Sequence, residues 1–332
     1  MNALDYREMP ANRQLNFTGA VAIWAALGLF GAFFGTWLGY GGQRVAFALA
    51  VCVALLAGML FPTVANVREK LLVWLGKRGV WIAPLVPVAA IVVYAAGANE
   101  FAWKTMVFGA AYALVPAALL FTAREKPAGQ WQDYTAVLVI WMPVELHQLH
   151  RLWPYPPPLT HTLTILFAVN AALAAFLLLR RLDGMGYTIE WGPGFSFAVA
   201  FSFLVFAIIA IPLGEGLGFI HFEPSLARLR SFPLAALGIL FFTAWPEELL
   251  FRGLLQNLLA RTLRSPLRGL FAASIIFGFA HINNGPFPNW RYVLLAAIAG
   301  IFYGRAWMKT GSIFASCLVH ALVDITWHTL FG

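Results

Sequence analysis

The longest apolar run of the chain, residues 232–258, reads FPLAALGILFFTAWPEELLFRGLLQNL. It is longer than the roughly 20 residues that a helix needs to cross a bilayer. However, Glu247, Glu248 and Arg252 lie in its interior. Each ionisable side chain at mid-span costs roughly 2.5–3.5 kcal/mol on insertion scales, and such groups face a bundle interior or a polar cavity. The stretch therefore predicts a membrane helix packed within a bundle.

The whole chain has the composition of a membrane protein. Of its 332 residues, 61% are hydrophobic and 11% are charged, whereas a soluble chain carries about 25% charged residues. The apolar runs lie near 17–40, 45–62, 80–98, 104–122, 133–150, 161–179, 195–213, 232–258, 268–284, 291–307 and 312–331. They predict an all-α, polytopic transmembrane helical bundle of about 11 spans. The polar break at 180–194 predicts an N-terminal multi-span region, 1–180, and a C-terminal domain, 181–332.

The positive charges follow membrane topology. With eleven spans, 15 of the 22 Lys and Arg residues fall on the side of the N-terminus. This bias predicts a cytoplasmic N-terminus in a multi-pass protein of the cell membrane. The cations, whose excess gives a net charge of +8, form no single basic patch or basic helix with stacking aromatics. The pattern therefore excludes a nucleic-acid partner and makes the lipid bilayer the expected one.

Two later spans carry further polar groups, in FGFAH at 277–281 and HALVD at 320–324. His320 and Asp324 are four residues apart and share a helix face, as do Glu248 and Arg252, which can form an ion pair. Glu247 lies about 100° around the helix from Glu248. At about 1.5 Å rise per residue, the polar groups of the three spans reach a similar depth. We therefore expect one buried cluster.

The cluster favours hydrolysis of a peptide. A carboxylate beside a histidine can take a proton from water, and a second polar pair can stabilise the oxyanion that follows. The alternative is zinc, which Glu247, His281 and His320 could bind with one position left open. Because the chain lacks HExxH, the compact zinc signature, we expect no cofactor and keep zinc as the runner-up.

These motifs also resemble those of a known family. EELLFR at 247–252, FGFAH at 277–281 and HALVD at 320–324 are similar to the E-E-x-x-x-R, F-x-x-x-H and H-x-x-x-N motifs of the CAAX-protease and bacteriocin-processing family of intramembrane glutamic endopeptidases. The resemblance covers roughly residues 195–330. It implies Glu247 as the base, assisted by His281, with His320 and Asp324 stabilising the oxyanion. It also implies that Glu248 and Arg252 hold Glu247 in place.

One departure from the family pattern affects the last motif. The family often has Asn where this chain has Asp324, and an ionised Asp accepts hydrogen bonds but cannot donate one. Asp324 is thus either protonated by burial or orients His320. A membrane transporter and a non-catalytic scaffold remain as alternative functions. The expected partner is a peptide or protein substrate at the membrane; its identity, the oligomeric state and the role of residues 1–180 are left open. Glu145, His147 and His150 are interpreted as a helix end among lipid headgroups.

Overall fold

The structure, a computed structural model, describes residues 13–331. They form twelve helices and one short antiparallel pair of strands, β1 (Arg13–Gln14) and β2 (Glu190–Trp191). The prediction of an all-α membrane helical bundle is therefore confirmed. Arg7, one of the cations used for the predicted topology, lies outside the described residues, as does the start of the predicted region 1–180.

The described residues divide into two compact units, 15–183 and 13–14 with 184–331. The first, here the N-terminal unit, contains seven helices: α1 (Phe17–Trp37), α2 (Gln43–Thr63), α3 (Ala65–Gly79), α4 (Leu85–Ala98), α5 (Trp103–Ala123), α6 (Trp131–Glu145) and α7 (Pro157–Leu179). The second, here the C-terminal unit, contains α8 (Pro193–Gly216), α9 (Leu226–Thr262), α10 (Pro266–Ala280), α11 (Trp290–Thr310) and α12 (Ile313–Leu330). The functional division predicted between 1–180 and 181–332 stays a prediction.

Each of the eleven apolar runs is helical over most of its length, and α3 is the additional helix. Among residues 13–331, seven helices are long and apolar enough to cross a membrane, and α4 and α10 are shorter apolar helices. The run at 133–150 is interrupted, because α6 ends at Glu145 and a 3-10 helix, Gln148–Leu152, follows. The count of eleven spans and the cytoplasmic N-terminus stay predictions.

Helix α9, which carries the first motif, has an unusual backbone. Two π-helical stretches, Leu240–Ala244 and Leu249–Gln256, flank the short α-helical segment Trp245–Glu248. π-Helical turns inside α-helices are rare and are frequent at functional sites. The irregular part of α9 is thus the part that contains Glu247, Glu248 and Arg252.

Helices α10 and α11 pack closely through small residues. A Cβ atom placed on Gly278 would lie 2.5 Å from the carbonyl oxygen of Val293, and one on Gly300 would lie 3.1 Å from the Cα atom of Ser274. Small residues at such positions let membrane helices approach each other. This contact brings the end of α10, where His281 follows the last helical residue, against the first turn of α11.

Candidate active site

Glu248 lies at the centre of the polar cluster. Its side chain is fully buried, and one carboxylate oxygen accepts a hydrogen bond of 2.8 Å from Nε of Arg252, which is also fully buried. The other oxygen lies 2.9 Å from Nδ1 of His320. A buried carboxylate needs such partners, because burial of an unpaired charge is very costly. Glu248 therefore links α9 to α12 and fixes Nδ1 of His320 as a hydrogen-bond donor.

The second nitrogen of His320 faces two further carboxylates. Its Nε2 atom lies 3.5 Å from an oxygen of Asp324 and 3.9 Å from an oxygen of Glu247. The side chain of His320 is 4% exposed, whereas those of Asp324 and Glu247 are 20% and 33% exposed. Glu247 and Asp324 are thus the members of this group that water can reach most easily.

His281 completes the group from the end of α10. Its Nδ1 atom lies 2.8 Å from the carbonyl oxygen of Phe277, which makes Nδ1 the donor, since a carbonyl only accepts. Nε2 is then the acceptor in the neutral ring. Phe277 and His281 are four residues apart, and their rings lie 4.7 Å apart between centroids, although α10 ends one residue before His281.

These side chains line one cavity of about 250 Å³ in the C-terminal unit. Glu247, His281, His320 and Asp324 all contribute to its wall, whereas Glu248 and Arg252 lie behind it. The remaining wall is largely apolar, with side chains from α8, α11 and α12. Ligand sites commonly combine an apolar wall with a few convergent polar groups. The cavity therefore has the character of a binding site with a polar end.

Aromatic rings enclose the buried charges. The ring of Tyr303 stacks on that of His320 at 4.6 Å and 16°. The guanidinium of Arg252 lies 4.9 Å from the ring centre of Phe277 and 5.8 Å from that of Tyr303. Its two terminal nitrogens are buried and make no hydrogen bond, so the ring faces supply their electrostatic contact.

The structure brings all six predicted site residues together. Glu248 contacts His320 and Arg252 directly, and the support that this pair was expected to give Glu247 stays a prediction. The 100° between Glu247 and Glu248 directs the two carboxylates differently. The ionic pair thus lies against the histidine of α12, and Glu247 lies on the side of the cavity.

Sequence reasoning missed Tyr292, Tyr303 and Asn284, which also line the cavity. The two tyrosines are eleven residues apart in α11, close to three full turns, so they share a face. Ala296 and Ala299 lie on that face and also line the cavity. This periodicity is visible in the sequence, but the uncharged tyrosines do not stand out in an aromatic-rich chain. Asn284 lies in the loop after His281, where no periodicity exists.

Within the described residues, no three His, Cys, Asp or Glu side chains are placed to share a metal ion. Whether zinc takes part stays open, and a chelation experiment tests it.

The comparison with known protein families identifies the same region. Residues 229–326 match the family model described as type II CAAX prenyl endopeptidase Rce1-like. Neither the curated proteins nor the solved structures contain a match. The matched residues include all six members of the cluster, from Glu247 in α9 to Asp324 in α12. Residues 229–326 of this multi-pass membrane chain are thus similar to the Rce1-like CAAX-protease family.

Proposed function

We propose that the chain is an intramembrane endopeptidase in which Glu247 activates water to cleave a membrane-associated peptide. The observation that carries the proposal is the position of Glu247. It is the acid of the first motif that lines the cavity, beside His320 and Asp324, while Glu248 is fully buried behind them. A base must reach both water and substrate, and Glu247 meets that requirement.

In this mechanism Glu247 takes a proton from water, and the resulting hydroxide adds to the peptide carbonyl carbon. The tetrahedral intermediate collapses, the C–N bond breaks, and the proton passes from Glu247 to the leaving amine. His281 assists through its acceptor nitrogen, since its Nδ1 is occupied by the carbonyl of Phe277. General acid–base assistance of this kind is worth about 10²–10⁴-fold in rate.

His320 stabilises the oxyanion. In the mechanism the ring carries a proton on both nitrogens: Nδ1 donates to Glu248, and Nε2, on the cavity side of the cluster, donates to the negative oxygen. A donor whose direction is fixed before the reaction is worth the most, because it needs no reorganisation. The supporting role of Glu248 and Arg252 is therefore to orient His320.

We further propose that the substrate is a peptide with an apolar anchor, held in the cell membrane. The family description names a CAAX prenyl endopeptidase, which makes a prenylated C-terminal peptide the first substrate to test. The apolar wall of the cavity supports an apolar group near the polar end. No cofactor takes part in this mechanism.

The experiment measures cleavage by the full chain purified in detergent. Wild type, Glu247→Gln and the control Glu215→Gln are incubated with a farnesylated peptide and with the same peptide unmodified. Glu215 is exposed at the end of α8 and does not line the cavity. We expect Glu247→Gln to lower the rate about 10²–10⁴-fold and Glu215→Gln to leave it unchanged. Equal cleavage by Glu247→Gln and wild type would contradict the glutamate mechanism.

A second arm separates this mechanism from the zinc alternative. Wild type is dialysed against a strong chelator and assayed again, and zinc is then added back. Full activity after dialysis supports the metal-free mechanism. Loss of cleavage that zinc restores would instead favour zinc bound by Glu247, His281 and His320.

A further inference from the structure

We propose that Tyr292 is a further catalytic residue, whose phenol O–H donates a hydrogen bond to the oxyanion alongside His320. The inference rests on the proposed peptidase function and deepens it. It assigns to α11 a donor that the three motifs do not contain. It also supplies a donor where Asp324 stands at a position that is often Asn in the family.

Tyr292 lies on the same cavity as the reactive groups, in the first turn of α11. The backbone there is fixed, because the side chain of Asn289 accepts a hydrogen bond from the backbone N–H of Tyr292. The residue thus stands at a helix start whose position is capped, opposite the end of α10.

Three aromatic neighbours hold the ring of Tyr292. Its centroid lies 4.7 Å from that of His281, 5.4 Å from that of Trp327 and 5.2 Å from that of Phe219. These contacts come from three different elements, so rotation of the ring away from the cavity would break packing on several sides. A side chain that packing locks in place is pre-organised for a single direction of donation.

The surroundings of the hydroxyl favour donation into the cavity. Asn284 lines the same cavity as Tyr292, and so do the carboxylates of Asp324 and Glu247. An amide N–H of Asn284 that donates to the phenol oxygen leaves the proton of Tyr292 for another acceptor. The position beside the base is where an acceptor develops, because the peptide carbonyl oxygen becomes negative after attack.

The position of Asp324 beside His320 leaves a place for such a donor. An ionised carboxylate offers no proton to an oxyanion and repels its charge, whereas a phenol O–H can donate. Asp324 lies 3.5 Å from Nε2 of His320, which fits a role in orienting the ring. In this arrangement the oxyanion receives its two donors from His320 and Tyr292.

The test compares kcat and KM for wild type, Tyr292→Phe, Asp324→Asn and the double variant, with the peptide that wild type cleaves. Tyr40→Phe is the matched control, because Tyr40 follows α1 in the N-terminal unit. Loss of one oxyanion donor lowers kcat by about 10²–10³-fold. We expect Tyr292→Phe to show a loss of this size with KM nearly unchanged, since the ring and its packing remain.

The double variant decides between donation and mere positioning. The Asp324→Asn change supplies an N–H donor. We therefore expect the double variant to have a kcat at least tenfold higher than that of Tyr292→Phe. A double variant no better than Tyr292→Phe, or a Tyr292→Phe variant as active as the Tyr40→Phe control, would overturn the proposal. If Glu247→Gln also remained active, the peptidase mechanism itself would fail; if only Tyr292→Phe remained active, the failure would concern Tyr292 alone.

Discussion

Within residues 13–331, each unit contains a buried ion pair between an acid and an arginine, but the two pairs differ in their other partners. In the N-terminal unit, Nε of Arg180 lies 2.8 Å from Asp133, with side chains 5% and 0% exposed. In the C-terminal unit, Nε of Arg252 lies 2.8 Å from Glu248, and both side chains are fully buried. The two salt bridges match in length and burial, so their remaining partners must distinguish them.

The other hydrogen bonds of the pair in the N-terminal unit are to backbone groups. Arg180 also donates to the carbonyl oxygens of Arg124 and Pro127, and Asp133 accepts from the N–H groups of Gly129 and Gln130. These bonds join the loop before α6 to the end of α7.

The pair of the C-terminal unit instead contacts a histidine at the cavity. The second oxygen of Glu248 contacts His320, whose other nitrogen faces Glu247 and Asp324 at the cavity. A buried ion pair is weak evidence for stability by itself. The other partners of each pair, backbone groups in one case and a cavity histidine in the other, therefore distinguish a pair that stabilises the fold from one placed beside the candidate site.

The largest effect should come from removing the acid of each pair. Glu248→Gln and Asp133→Asn both leave a buried arginine without its counter-ion, which costs about 3–5 kcal/mol. We expect both variants to unfold at lower temperature in detergent. Glu248→Gln should also lower kcat at least 100-fold in the folded fraction. Gln has one acceptor oxygen where Glu248 has two, so Arg252 and His320 compete for it and the Nδ1 proton of His320 is no longer held by a carboxylate.

Asp133→Asn serves as the control for that result. Its folded fraction, isolated by gel filtration at low temperature, should cleave the test peptide at the wild-type rate. A comparable fall in kcat for both variants would show that the two pairs do not differ in role.

A smaller effect is expected at the histidines of the two units. His281→Asn removes the acceptor nitrogen at the cavity and should lower kcat about 100-fold. His150→Asn is the matched change in the N-terminal unit, where the ring of His150 lies 5.1 Å from that of His147. It should change kcat less than twofold. Steady-state rates with one peptide measure both, and a stronger loss for His150→Asn would move the site towards the N-terminal unit.

Sequence reasoning predicts the C-terminal cluster well for a physical reason. Charged residues in an apolar helix are costly and therefore conspicuous, and the fixed rise and turn of a helix relate their depth and direction. These rules are enough to group Glu247, His281, His320 and Asp324 from their positions along the chain. The same rules identify the apolar runs that form the helices.

The same reasoning cannot supply the finer arrangement. The π-helical stretches around Trp245–Glu248 change the directions in which the side chains of α9 point. The residue pattern of α9 does not predict these stretches. The choice of Glu248 rather than Glu247 as the partner of His320 depends on how α9 meets α12. The Arg180–Asp133 pair joins residues 47 positions apart, a separation that helix periodicity does not address.

The smallest expected effects come from replacing the two arginines by lysine. They also discriminate best between the pairs, because one variant should lose more stability and the other more activity. Arg180 makes four hydrogen bonds, to Asp133, Arg124 and Pro127, and lysine cannot reproduce that planar set. Arg252 makes one, to Glu248, and lies against aromatic rings. We therefore expect Arg180→Lys to lower the unfolding temperature more than Arg252→Lys. Arg252→Lys should lower kcat about tenfold, the equivalent of about 1.4 kcal/mol. Glu248, which orients His320, would lose the guanidinium that fixes its own position. Thermal unfolding and kcat measured on the same preparations test both expectations. If Arg180→Lys lowered both the unfolding temperature and kcat more than Arg252→Lys, the C-terminal pair would have only a structural role, like the N-terminal one.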